Sequence, residues 1–235
     1  MARNTDRPGR WVRALTGTAA AGLLLTGCGA GDGAATPEAS AATAGSRSSS
    51  PKPVVTGNAV HTLRVRQVRA VVPDGAVMPG WKNISKPVIF RDGSLCEGVI
   101  PDVCDLLIAS GQSSFSRGRE TPQEGVHVMF SVWSCTTKRG AREFYAALDT
   151  RGADGTKLGL LGSLGDERLA THHTSGRATL LDAKLRSGTT VLWINVMGSE
   201  RTATTARLKE ATQLLYDRTL QAKGGFKPAT IGSIA

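Results

Sequence analysis

The 235-residue sequence contains no C-x-x-C pair, no complete G-x-S-x-G motif and no uninterrupted apolar stretch long enough to cross a membrane. Without C-x-x-C, the usual thiolate knuckle of a structural zinc site is absent. The adjacent His172 and His173 do not replace it, because neighbours in a strand point to opposite faces. The run Gly162, Ser163, Leu164, Gly165 imitates a nucleophile elbow, but Leu161 occupies the place of the first glycine. Ser49 and Lys52 satisfy S-x-x-K in a stretch with no periodic apolar pattern, where a nucleophile cannot be held against its base. Gly165, Asp166 and Glu167 form an acidic turn with Asp182 further on, and no spacing pairs two carboxylates for acid and base work. No catalytic residue and no metal ligand is therefore assigned, and no cofactor is expected beyond a covalent lipid.

What is present begins with an export signal. Residues 1–13 are basic, and residues 14–25 are apolar but broken by Thr16, Gly17, Thr18 and Gly22. About a dozen residues fall short of the roughly 20 that span a bilayer and suit a signal peptide. Leu25, Thr26, Gly27 and Cys28 then resemble a lipobox, in which small residues expose the backbone to signal peptidase and the cysteine thiol takes a diacylglycerol. The resemblance implies a protein on the outer face of a cell membrane, anchored at Cys28 by two acyl chains, the number that stable anchoring takes. Residues 28–57 are rich in Gly, Ala, Ser, Thr and Pro and read as a flexible tether with an end-to-end reach on the order of 30 Å. The expected organisation is a signal peptide at 1–27, the lipidated cysteine and tether at 28–57, one domain at 58–225 and a tail at 226–235.

The formal charge is +10. The leader holds Arg3, Arg7, Arg10 and Arg13 against Asp6, so the mature chain keeps +7. That balance suits anionic headgroups or an anionic envelope polymer as a neighbour. Nucleic acid is not expected, since the basic residues are scattered rather than set in one stripe.

Within the domain, rough alternation predicts a strand at 59–66, and another short one is expected at 86–91. Pro101 and Asp102 open a short helix sharing a face between Val103, Leu106, Leu107 and Ser110. The clearest strand runs from 126 to 134, with a helix at 137–149 carrying Ala141, Phe144, Tyr145 and Leu148 on one side. Three strands follow at 167–173, 177–186 and 189–197. A last helix starts near Ser199 and Glu200 and stops at Gly224 and Gly225. The pattern gives an α+β class, an antiparallel sheet with helices packed on one face. Trp133 and Trp193 fall on the opposite faces of their strands from the main apolar sets, and together they form a candidate ligand surface or a secondary core.

With Cys28 lipidated, Cys96, Cys104 and Cys135 remain in an oxidising compartment, where one bridge is expected. The short, turn-rich loop favours Cys96 with Cys104, and Cys104 with Cys135 is the alternative.

The lipobox, the tether, the segment around Cys96 and Cys104, the strand and helix from Val132 to Leu148, and Leu164, Gly165, Asp166, Glu167 ahead of a strand and a last helix are similar to actinobacterial cell-envelope lipoproteins. Those families are of unknown function and resemble the extracellular sensor domains of some membrane serine/threonine kinases. The resemblance covers about residues 80–222 and implies a small disulfide-containing domain suited to binding or sensing, with any signalling left to a separate envelope protein. Two other functions are weighed against it. One is an envelope hydrolase assembled from residues such as Asp166, His172 or His173, and the other is a structural or assembly partner of a membrane complex.

Overall fold

The computed structural model describes residues 62–118, 125–150, 155–232 and 234, all within the compact unit Ser50–Ala235. Cys28, its lipobox and the expected tether lie outside the described residues.

The chain opens with a short helix, α1 (Val65–Val71), followed by strand β1 (Lys82–Phe90), a one-turn helix α2 (Ser94–Glu97) and a 3-10 turn at Pro101–Leu106. Two long strands follow, β2 (Leu107–Gly118) and β3 (Gly125–Cys135), then helix α3 (Lys138–Asp149). The last part is β4 (Thr156–Lys157), β5 (Glu167–Ser175), β6 (Ala178–Ser187), β7 (Thr190–Gly198) and helix α4 (Thr205–Lys223). The strands form one antiparallel sheet in the order β1-β2-β3-β7-β6-β5-β4. The α+β class expected from the sequence is the class observed.

Period-two alternation places Val128, Phe130 and Val132 of β3 with Leu192, Ile194 and Val196 of β7 and Leu181, Ala183 and Leu185 of β6 on one face. Helices α1 and α4 cover that face, α4 through Leu208, Ala211 and Leu215. Helix α3 lies on the opposite face, so helices cover both faces rather than the one expected, and it adds a second core in which Phe144 and Leu148 meet Trp133 and Val191. α3 starts where expected because the Thr137 hydroxyl accepts from the Gly140 N–H at 2.9 Å. α4 begins later than Ser199: a turn from Ser199 to Thr202 intervenes, closed by the Thr202 N–H on the Ser199 carbonyl at 3.0 Å, and Thr204 caps the helix instead.

Two local expectations are corrected. The strand predicted at 59–66 is not formed in its described part, because Val65, Val68, Val71 and Val72 follow helical spacing and pack inward, with the Arg64 N–H held by Gln67 Oε1 at 2.8 Å. The helix opened by Pro101 ends at Leu106 as a 3-10 turn, and Leu107 and Ser110 belong to β2. α1 presses close to that strand at Gly111. A Cβ there would stand 2.7 Å from Ile89 and 2.9 Å from Val68 and Val72, so the glycine admits the helix.

The segment after α4, expected as a tail, packs against the domain. The Gly232 N–H donates to the Val77 carbonyl at 2.7 Å, and Ile234 is buried with its carbonyl accepting from Arg117 at 3.1 Å and from the Trp81 indole at 3.3 Å. Cys96 and Cys104 are bridged, with Cα atoms 5.5 Å apart. Cys135 is a buried free thiol, so the alternative pairing with Cys104 does not form.

Candidate functional site

The face that carries α3 is covered only in part. Strand register places Trp133 and Val191 in one row across β3 and β7, Ser131 and Trp193 in the next, then Met129 and Asn195, then His127 and Met197. α3 packs over the Trp133 end. Towards the other end a groove of about 400 Å³ remains open, lined among others by Ile84, Met129, Leu180, Trp193, Asn195 and Met197. Ile84 and Met197 are 51% and 42% exposed, large apolar side chains that an ordinary solvated strand face does not present together. Ile84 lies where the β1–β2 register shifts between Asn83 and Ser85, an irregularity that re-aims a side chain.

The two tryptophans play different parts. Trp133 is 1% exposed and belongs to the core beneath α3, its ring tilted against Phe144 with ring centres 5.4 Å apart. Trp193 is half-buried, stacks on Trp133 at 5.9 Å and continues the aromatic column to the groove. Of the two, only Trp193 lines the groove, and Trp133 supports it from the core.

Polar groups converge beside Trp193. Its indole N–H donates to Asp182 Oδ1 at 3.1 Å, and the side-chain amide of Asn195, the cross-strand partner of Asp182, donates to the same oxygen. Asp182 Oδ2 lies 3.8 Å from His173 Nε2, which is itself 3.2 Å from the Thr171 hydroxyl. Asp182 is 6% exposed, and burial raises its pKa, opposed by the hydrogen bond from Trp193 and by the nearby Lys184 and His173. Lys184, in the same strand, is fully buried and donates to the Leu148 carbonyl at the end of α3 at 2.8 Å, binding that helix to the sheet. Burial lowers its pKa.

The residues weighed for hydrolysis are not brought together. Asp166 and Glu167 are held by Arg186, which donates to Asp166 Oδ2 at 2.8 Å and to Glu167 Oε1 at 2.9 Å. Seven residues of extended strand, about 23 Å, separate Asp166 from His173. His172 pairs with Leu181 and so faces the α1 and α4 side of the sheet. Among the described residues no cluster of three metal-ligating side chains occurs, and no helix is long and apolar enough to cross a membrane.

Sequence reasoning found Trp193 by its place against the apolar alternation. It missed Asn195 and Met197, although two-residue spacing puts both on the face of Trp193. Asp182 and Ile84 had no such signal, because their places depend on which strand pairs with which.

No family model matches the chain, and no curated protein matches it. Among solved structures, the extracellular domain of PknH from Mycobacterium tuberculosis is similar at a TM-score of 0.43 and 12% sequence identity, over 69% of this chain and 97% of that one.

Proposed function

We infer that the protein is an extracytoplasmic lipoprotein, anchored through diacylglycerol on Cys28, whose domain is a non-enzymatic binding or sensing module. The observation that carries the reading is the groove on the incompletely covered sheet face, where Trp193, Asp182 and Asn195 are fixed against one another beside exposed Ile84 and Met197. An apolar concavity with a few convergent polar groups is the usual form of a small-ligand site. The Cys96 to Cys104 bridge suits an oxidising compartment outside the cytoplasm.

Two measurements test the reading. Intact mass of membrane-extracted protein should carry a diacylglycerol at Cys28, and a mature N-terminus elsewhere without lipid mass removes the anchor. The neutral probe N-phenylnaphthylamine should brighten on binding the domain, and Ile84→Glu should abolish the effect. Equal brightening in the variant takes the groove out of the function. A pulldown enriching one membrane complex, with no probe bound, favours an assembly role.

We further propose that basic residues at and beside α1 meet an anionic surface. Arg64, Arg66 and Lys227, with the exposed ring of Phe226, line a depression of about 560 Å³. Cations beside an exposed aromatic suit anionic headgroups or an anionic envelope polymer. Replacing all three cations by Gln should weaken sedimentation with phosphatidylglycerol vesicles and flatten its salt dependence.

A further inference from the structure

The groove contains an imbalance that points to the chemistry of its occupant. Asn195 is 8% exposed, lines the groove and gives its amide N–H to Asp182, while its Oδ1, also buried, has no hydrogen-bond partner within the protein. An amide oxygen only accepts. Beside it, Asp182 Oδ1 is occupied by two donors, Trp193 and Asn195, and Asp182 Oδ2 has His173 at 3.8 Å, beyond hydrogen-bond distance. Asn195 Oδ1 is thus a buried acceptor that no donor of the protein meets, whereas buried acceptors are ordinarily satisfied.

The walls have the opposite character. Ile84, Met129, Leu180 and Met197 present methyl, methylene and thioether groups along about 400 Å³, a volume within the range of small-ligand sites. A ligand that is all polar would leave those walls against it, and a wholly apolar one would leave the Asn195 oxygen unpaired.

We propose that the groove takes an amphiphile whose apolar body lies along Ile84, Met129, Leu180 and Met197 and whose polar group is a hydrogen-bond donor, a hydroxyl or a primary ammonium, directed to Asn195 Oδ1 next to the Asp182 carboxylate. The inference rests on the binding reading above and adds the class of ligand. It also excludes one: a fatty acid or phosphate monoester would bring a second anion to a carboxylate already buried.

Three probes of equal chain length separate these cases: 1-dodecanol, dodecylamine as its ammonium ion, and laurate. The chain for the test begins at residue 29, free of signal peptide and lipid. Every buried core residue among the described residues lies between Leu63 and Ile234, and all of them are retained. Binding is followed through tryptophan emission, with Trp193→Phe identifying the share that comes from the groove. The alcohol and the ammonium should bind roughly tenfold or more tightly than laurate, the difference expected of one donor met by an acceptor rather than by repulsion. The preference for the ammonium would run against the +7 charge of this chain, which by itself draws laurate. Asn195→Ala should bring the alcohol close to laurate. Laurate binding as tightly as dodecanol overturns the donor assignment and leaves the groove in place. No binding by any probe, or binding indifferent to Ile84→Glu, overturns the groove reading itself. Ile84 is half-exposed, so that variant and the ratio of the three probes decide the matter even if Asn195→Ala does not fold.

Discussion

Trp193 and Asp182 are diagonal neighbours on β7 and β6, and the indole N–H of one donates to the carboxylate of the other at 3.1 Å. The bond fixes a half-buried aromatic ring at the groove and keeps a nearly buried carboxylate partnered.

The carboxylate makes the first prediction one of pH. Burial raises the folded-state pKa of Asp182 above its ordinary 3.8, so the folded protein holds this proton more tightly than the unfolded chain. The stabilising contribution of the proton is complete below about pH 3.8 and is lost as pH rises through the folded pKa. Urea denaturation from pH 4 upward should show Asp182→Asn gaining on the wild type as pH rises. Parallel pH profiles for the two would mean that Trp193, Lys184 and His173 fully offset the burial.

A second prediction concerns Arg186, which is 5% exposed while the Asp166 side chain it holds is 52% exposed and Glu167 31%. Removing the two acids leaves a guanidinium buried among fewer partners, whereas removing the arginine leaves two acids that reach water. Asp166→Ala with Glu167→Ala should cost about 3 to 5 kcal/mol, and Arg186→Met about 1 to 2 kcal/mol. Adding Arg186→Met to the double variant should restore stability. A triple variant weaker than the double would show that the arginine contributes chiefly through packing.

How far the sequence disclosed this structure follows from where the determining forces lie. β3 and β7 carry β-branched and aromatic residues at period two, β6 sets Leu181, Ala183 and Leu185 at the same period, and α3 has its cap and stripe in adjacent residues, so all four are local signals. β2 is Leu-Ile-Ala-Ser-Gly-Gln-Ser-Ser-Phe-Ser in its first ten residues, poor in strand formers. It is a strand because β1 and β3 pair with it on both sides and α1 needs Gly111 beneath it. The strand expected at 59–66 rests on Leu63 and Val65, two apart, whereas Val65, Val68 and Val71 of α1 are three apart, a helical spacing that runs past that window. The disulfide was readable because its loop is short. The groove was read only at Trp193; Asn195 and Met197 carried the same two-residue signal, whereas Asp182 and Ile84 join it through register and a strand irregularity.

The C-terminal segment supplies a third prediction. Arg218 of α4 is buried and donates to the carbonyls of Ala70 at 2.6 Å, Val71 at 2.9 Å and Thr230 at 2.9 Å, joining the end of α1 to the chain after α4. The first two carbonyls are among those a helix end leaves without partners. Arg218→Met should cost about 2 to 4 kcal/mol, and amide exchange at Gly232 should quicken by more than that at β3. Arg218→Lys should recover less than half, because an ammonium cannot fork to three carbonyls. Unchanged exchange at Gly232 would show that Ile234 and Trp81 hold the segment without the arginine.

The cysteines give the last prediction. The Cys96 to Cys104 bridge closes a loop with a sequence separation of 8, and on a chain-entropy account a loop this short contributes about 2 to 3 kcal/mol. Replacing both by Ala should lower stability by that amount. Cys135 is buried in the core beneath α3, and burial pushes its thiol up to about 12. Below about pH 9, its ordinary value, both folded and unfolded chains keep the proton. Above that the unfolded chain releases it first, so the contribution of Cys135 is complete below about pH 9 and is lost as pH rises through about 12. Cys135→Ala should cost only about 1 kcal/mol and should remove that share of the alkaline decline. For the chain beginning at residue 29, iodoacetamide at pH 8 should leave the folded protein unmodified and add one group after unfolding without reduction. Modification of the folded protein at the rate of the unfolded one would place Cys135 at the surface. Two groups added after unfolding, or more, would mean that the Cys96 to Cys104 bridge is not closed.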